Sequence, residues 1–89
     1  MNYKDRKQLV SEIEEVLDDL DYDLDYELDD YHLENVSIVE IDIDVSSAEN
    51  YPEDWDIALQ DLVNNIIWEW DSEGWTSWDE WILCISIPD

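Results

Sequence analysis

Apolar residues in the first stretch of the chain fall three and four apart. Leu9, Ile13, Val16, Leu17 and Leu20 line one side, with Glu12, Glu14, Glu15, Asp18 and Asp19 on the rest of the circumference. That spacing predicts an amphipathic helix over residues 5–20. At Asp21 the period changes to two: Asp21, Asp23, Asp25, Glu27 and Asp29 alternate with Tyr22, Leu24, Tyr26 and Leu28. Alternation predicts a strand with its acids on one face, although Leu20, Leu24 and Leu28 would also suit a helix that simply continued. Residues 30–35 read as a connection. A β-branched strand follows, with Val39, Ile41, Ile43 and Val45 on one face and Glu40, Asp42 and Asp44 turned to water.

Polar residues 46–51 interrupt the pattern, and Pro52-Glu53-Asp54 then carries the marks of a helix start, with proline and acids suited to the first turn. Trp55, Ala58, Leu59, Leu62, Val63, Ile66 and Trp70 mark one face of this second helix. Asp71-Ser72-Glu73-Gly74 should end it, with Gly74 as a left-handed cap. Ser77 through Glu80 has capping-box spacing and suggests one short helical turn. The last strand, residues 80–87, has Trp81, Leu83, Ile85 and Ile87 on one face and Ile82, Cys84 and Ser86 on the other. Apolar on both faces, it belongs at the centre of a sheet or under cover.

The predicted order is α-β-β-α-β. Its simplest solution is a single α+β domain over residues 1–89, with a three-stranded sheet, both helices on one sheet face and an acidic open face opposite. No repeat and no Gly-, Ser- or Pro-rich linker divides the chain.

Charge changes this picture most. Lys4, Arg6 and Lys7 are the only Lys and Arg residues, and of the 27 carboxylates only Asp5 lies among them; the net charge is −24. Such a charge ordinarily marks a chain that cannot collapse. Here 45% of residues are hydrophobic, six are Trp and five Tyr, with one Gly and two Pro, which indicates a folded core beneath an anionic surface. In the first helix the bases come first and the acids last, against the macrodipole, so local helix stability does not explain the order. The bases could instead pair with acids of the same helix.

The chain offers little for catalysis. One His, one Cys and many similar carboxylates single out no acid, base or nucleophile, and the expectation is a protein that is not an enzyme and needs no cofactor. His32 stands alone in the expected connection, and Cys84, in an apolar run, reads as a small buried hydrophobe. Asp21, Asp23 and Asp25 imitate the first ligands of an EF-hand loop, but Tyr26 stands where the turn needs Gly and His32 where a bidentate Glu belongs, so no metal site is expected. No segment has the length and apolarity of a signal peptide or a membrane span, and a cytoplasmic location is the default. Anionic membranes and nucleic acid itself would be repelled. The partner should be a basic protein, met by a monomer or a homodimer.

Two features could form the contact. Carboxylates at every second strand residue recur about every 6.6–6.8 Å, with a neighbouring row about 4.8 Å away. Asp21, Asp23, Asp25, Glu27 and Asp29 with Glu40, Asp42 and Asp44 would thus approach half the charge density of duplex DNA. The other feature is the cluster Trp68, Trp70, Trp75, Trp78 and Trp81. Trp68 and Trp70, two apart, cannot share a helix face, so the cluster is either core filling with one ring left at a rim, or a source of partner contacts at Trp68, Trp75 or Trp78.

With its acidic runs, such as Asp18-Asp19-Leu20-Asp21-Tyr22-Asp23-Leu24-Asp25, the chain resembles the small acidic DNA-mimic proteins. These are often phage-encoded and occupy the DNA-binding sites of restriction, CRISPR, repair or transcription proteins. The resemblance implies stoichiometric inhibition of a nucleic-acid-binding protein such as a CRISPR effector or a restriction nuclease. It carries no shared fold and no motif residue. Three other readings stand beside it: an immunity protein or antitoxin that plugs a basic nuclease, an ordinary halophilic acidic domain, and an acidic chaperone for basic proteins.

Overall fold

A computed structural model describes residues 3–70 and 73–88. Helix α1 (Tyr3–Asp18) leads into β1 (Tyr26–Leu33) and β2 (Val36–Ile43), a 3₁₀ segment (Val45–Asn50), helix α2 (Trp55–Trp70), and the hairpin β3 (Trp75–Asp79) and β4 (Ile82–Pro88). The four strands form one antiparallel sheet in the order β1-β2-β4-β3. The two most apolar strands therefore occupy its centre, as the two-faced pattern of β4 anticipates.

One sheet face carries both helices. Leu9, Ile13 and Leu17 of α1 and Leu59, Val63 and Ile67 of α2 close over Val39, Ile41 and Ile43 of β2 and Leu83, Ile85 and Ile87 of β4. All are buried, each contributing about 1.5–3 kcal/mol by removal from water. The Cα radius of gyration, 12.7 Å, is that of a close-packed chain of this length.

Several expectations need correction. The sheet has four strands rather than three, because Trp75, Thr76, Ser77, Trp78 and Asp79 alternate exposed with half-buried positions and pair with β4. The expected helical turn at Ser77–Glu80 is instead a strand end and a hairpin. Trp81 belongs to that hairpin and not to the last strand. β1 lies further along the chain than the alternation suggests. Tyr26 is the first residue to find a ladder partner, Ile43, and beyond Asp44 the opposing chain coils into the 3₁₀ segment. Val45 is thus outside the strand and exposed. Residues 30–33, expected in a connection, pair with residues 36–39, and His32 with them lies in the strand.

Both hairpins turn through two residues, Glu34-Asn35 and Glu80-Trp81, and the first of each is a Glu at positive φ, 50° and 54°. This region costs a non-glycine residue about 1–2 kcal/mol. In α2 the buried stripe is Leu59, Val63 and Ile67, while Ala58 and Leu62 are exposed, so the apolar face is rotated from the expected one. The helix stop expected at Asp71 and Ser72 lies outside the described residues. Gly74 is buried at the entry to β3 and does not adopt positive φ, so it is no left-handed cap.

The basic residues hold the two layers together. Asp30 sits on the helix-covered face of β1, and its carboxylate accepts from Arg6 Nε at 2.9 Å and from Lys7 Nζ at 2.8 Å. Two of the three bases thus reach across to the sheet, where pairing within their own helix was expected. Arg6 is 9% exposed, so the bond is largely shielded from solvent. Hydrogen bonds from Lys7 first, and then from Arg6, hold the Asp30 carboxyl below its ordinary value of 3.8 against an opposing effect of burial.

Asp30→Asn should destabilise the fold by about 1.5–3 kcal/mol, the range for hydrogen bonds to charged groups, although it lowers the net negative charge. Because the folded carboxyl is the stronger acid, its contribution is complete above pH 3.8 and disappears as pH falls through the still lower folded value. Denaturant unfolding of the two proteins should therefore differ at pH 7 and converge at the most acid pH at which both remain folded.

Candidate protein-binding face

The sheet face away from the helices is divided by register into two halves. Glu27 lies opposite Asp42, and Asp29 opposite Glu40. A backbone bond from Asp44 N to Asp25 O, 2.9 Å, continues the pairing one step beyond the formal strands. Three opposed carboxylate pairs result, Asp29–Glu40, Glu27–Asp42 and Asp25–Asp44, extending over roughly 14 Å of strand. In the row of Glu27 and Asp42, Ile82 and then Asp79 continue across β4 and β3. Asp25, Tyr26, Glu27, Asp42 and Asp44 line an open cleft of about 510 Å³.

The other half is apolar. Tyr31, Ile38, Ser86 and Trp75 form one row across the four strands, and Leu33, Val36 and Pro88 the next. Tyr31, Leu33 and Trp75 are exposed, Trp75 by 51%. The open face expected to be acidic is acidic at one end only.

The acidic end is held by tyrosines and serines. The Tyr51 hydroxyl accepts from Asp25 N at 3.2 Å and donates to Asp44 O at 3.5 Å, joining the two chains below the cleft. Ser47 Oγ donates to Asp25 Oδ2. Asp44 caps the 3₁₀ segment, its Oδ1 accepting from Ser46 Oγ at 2.7 Å and Ser46 N at 2.9 Å, and these bonds hold its carboxyl below the ordinary range. Tyr26 donates its hydroxyl to Asp18 Oδ1 at 3.1 Å. Burial, and then that bond, push its pKa up to about 12, so it remains a neutral donor. Asp25 and Asp44, held in this way, lose little freedom when a partner arrives.

The other expected contact residues are scattered. Asp21 and Asp23 are exposed but lie in the segment before β1, off the ladder. Trp68 is 55% exposed on the outer side of α2, whereas Trp70 packs against the core and donates from Nε1 to Glu12, so the two rings do part as their spacing requires. Trp78 packs against the core, and its Nε1 is the only buried side-chain nitrogen or oxygen among the described residues that lacks a hydrogen-bond partner. Cys84, expected inside the core, is half-buried on the open face with Sγ 3.7 Å from Glu40 Oε2; burial first and Glu40 second push its thiol up. Sequence reasoning missed Trp55 and Trp81 as members of the site. Their rings stack at 5.7 Å with 8° between planes, beside the acidic end.

Like charges placed directly opposite on a sheet oppose folding. At about 5 Å in water each pair costs roughly 0.8 kcal/mol, and 0.15 M salt, with a Debye length of about 8 Å, screens part of it. The double substitution Glu27→Gln, Asp42→Asn should therefore raise the stability by about 0.5–1 kcal/mol at low ionic strength, a gain that shrinks in 1 M NaCl. Denaturant midpoints at the two salt concentrations measure it.

Among the described residues no group of three or more His, Cys, Asp or Glu is arranged to hold a metal ion, and no helix is long and apolar enough to cross a membrane. No protein-family model, curated protein or solved structure matches this chain.

Proposed function

We propose that this domain is a nucleic-acid mimic that occupies the basic nucleic-acid-binding groove of a target protein and inhibits it by competition. The observation that supports the reading is the ladder of three opposed carboxylate pairs, Asp29–Glu40, Glu27–Asp42 and Asp25–Asp44. Six carboxylates over roughly 14 Å compare with about eight phosphates along the same length of duplex DNA. Both are dense rows of negative charge, and the sheet fixes the strands that carry it. A fold selected for stability alone would place bases opposite these acids.

Mimicry needs no catalysis. The domain acts at a ratio of one to one, and its negative field speeds the encounter with a cationic groove. A restriction nuclease or a CRISPR effector fits the chemistry of the target. The apolar half of the open face favours a second reading, an immunity protein that plugs a basic nuclease toxin, because Tyr31, Leu33 and Trp75 suit a partner with apolar surface beside its charges.

The test is displacement. A basic target recovered on the immobilised domain and eluted by salt should lose its bound DNA or RNA to near-equimolar amounts of the free domain. Replacing Glu27, Asp29, Glu40 and Asp42 together by their amides should weaken this displacement at least tenfold. Amides at Glu14, Glu15, Asp61 and Glu69, exposed on the two helices, should weaken it less than threefold. Equal losses from the two sets would remove the sheet face as the site. A target that binds the domain equally well with its groove already filled by DNA would rule out mimicry.

A further inference from the structure

At the acidic end of the sheet, the start of α2 approaches the β3–β4 hairpin. Glu53, Trp55, Asp56, Trp78, Glu80 and Trp81 line an open pocket of about 480 Å³ there. Its walls combine two kinds of surface that attract the same ligand. Trp55 stacks on Trp81, and Trp78 meets Trp55 edge-on, with centroids 5.5 Å apart and planes at 81°. Tyr51 continues the cluster behind Trp55, at 5.2 Å, so the ring that Trp81 leans on is itself held. The three carboxylates belong to exposed residues of the same lining.

We propose that this pocket receives an arginine side chain of the basic partner, an assignment that rests on the reading of the domain as a ligand for such a protein. An indole face attracts a cation through its quadrupole, and a planar, weakly hydrated guanidinium stacks on it better than an ammonium does. Carboxylates at the rim accept the guanidinium N–H groups, in pairs where geometry allows. The first turn of α2 presents about half a positive charge to the same region, and three carboxylates outweigh it.

Geometry also decides where the cation lies. Two parallel rings would need to stand roughly 7 Å apart to admit a third plane, from contact distances of about 3.5 Å on each side. Trp55 and Trp81 have centroids 5.7 Å apart, so the guanidinium sits outside the stack. Trp81, 37% exposed and carried on a two-residue turn, offers the accessible ring. The backbone bond from Ile43 N to Trp81 O, 2.9 Å, fixes that turn to the end of β2, next to Asp42. The pocket thus lies at the same end of the sheet as the carboxylate ladder, on the side of the helices, while the ladder faces the open side.

The pocket can be tested without the target. In ¹⁵N-labelled protein, titration with ethylguanidinium at constant ionic strength should move the indole N–H signals of Trp55, Trp78 and Trp81 along a saturating curve and leave those of Trp68 and Trp75 in place. Ethylammonium should move them less than half as far. Trp81→Ala should abolish the response with the amide spectrum otherwise retained. The triple substitution Glu53→Gln, Asp56→Asn, Glu80→Gln, which keeps the rings, should weaken it severalfold. Uniform or unsaturable shifts, or equal responses to the two cations, would overturn the proposal. Against the recovered target, Trp81→Ala should loosen binding about tenfold, with the salt dependence unchanged. If it changes nothing while the sheet-face amides release the target, the arginine pocket falls and mimicry stands. A pocket that fills with guanidinium in a domain that displaces no nucleic acid would leave the pocket and remove the mimicry.

Discussion

Repulsion is the constraint to which the rest of this structure answers. A chain with net charge −24 folds to a Cα radius of gyration of 12.7 Å, so most of its carboxylates lie within one or two Debye lengths of many others at physiological salt. Against that stands a single apolar layer. Leu9, Ile13, Leu17, Leu59, Val63 and Ile67 from the helices meet one face of β2 and β4, and burial there is nearly complete. The few bases are used where a charge would otherwise be trapped. Asp30, the acid on the covered face of β1, is the one that Arg6 and Lys7 both reach. Glu27 and Asp29 share the strand with Asp30, and with the other ladder carboxylates on the open face they are left to repel one another.

That division gives the acidic end its character. Tyr22, Tyr51 and Trp55 form a run of ring contacts beneath it, and Trp78 and Trp81 extend the run to the β3–β4 hairpin. Large rings supply apolar contact from few residues, and the Tyr51 hydroxyl meanwhile binds the backbone of the cleft at Asp25 and Asp44. Stability is given up at the same end: Trp78 Nε1 is buried without an acceptor, and Glu80 turns through positive φ.

Much of this was legible in the sequence, for identifiable reasons. α1 and β2 have one apolar and one polar face, so period alone places Leu9, Ile13 and Leu17, and then Val39, Ile41 and Ile43. β4 is apolar on both faces, and its central place follows. α2 is apolar around most of its circumference, with Ile57, Leu62 and Trp68 exposed as well, so period could not choose between Ile66 and Ile67 as the core contact. β3 was hidden because it has five residues, small polar side chains at Thr76 and Ser77, and a turn made by Glu80-Trp81 rather than Asn-Gly. The acids of the site were visible as types. Which of them oppose one another depends on register, and register places Asp25, Glu27, Asp29, Glu40, Asp42 and Asp44 together while leaving Asp21 and Asp23 aside. The Trp55–Trp81 stack joins residues 26 apart through a turn that no sequence signal marked.

On the proposed function, the position of the charge, more than its amount, makes the domain an inhibitor. A variant of constant charge separates the two. Glu27, Asp29, Glu40 and Asp42 become amides, while Gln8→Glu, Ser11→Glu, Ala58→Glu and Asn65→Asp restore four carboxylates at exposed helix positions. The measurement is the concentration of domain that displaces half of the bound duplex DNA from the target in 0.15 M salt. On the proposed function that concentration should rise at least tenfold at an unchanged net charge of −24. Displacement as efficient as that of the natural sequence would contradict it.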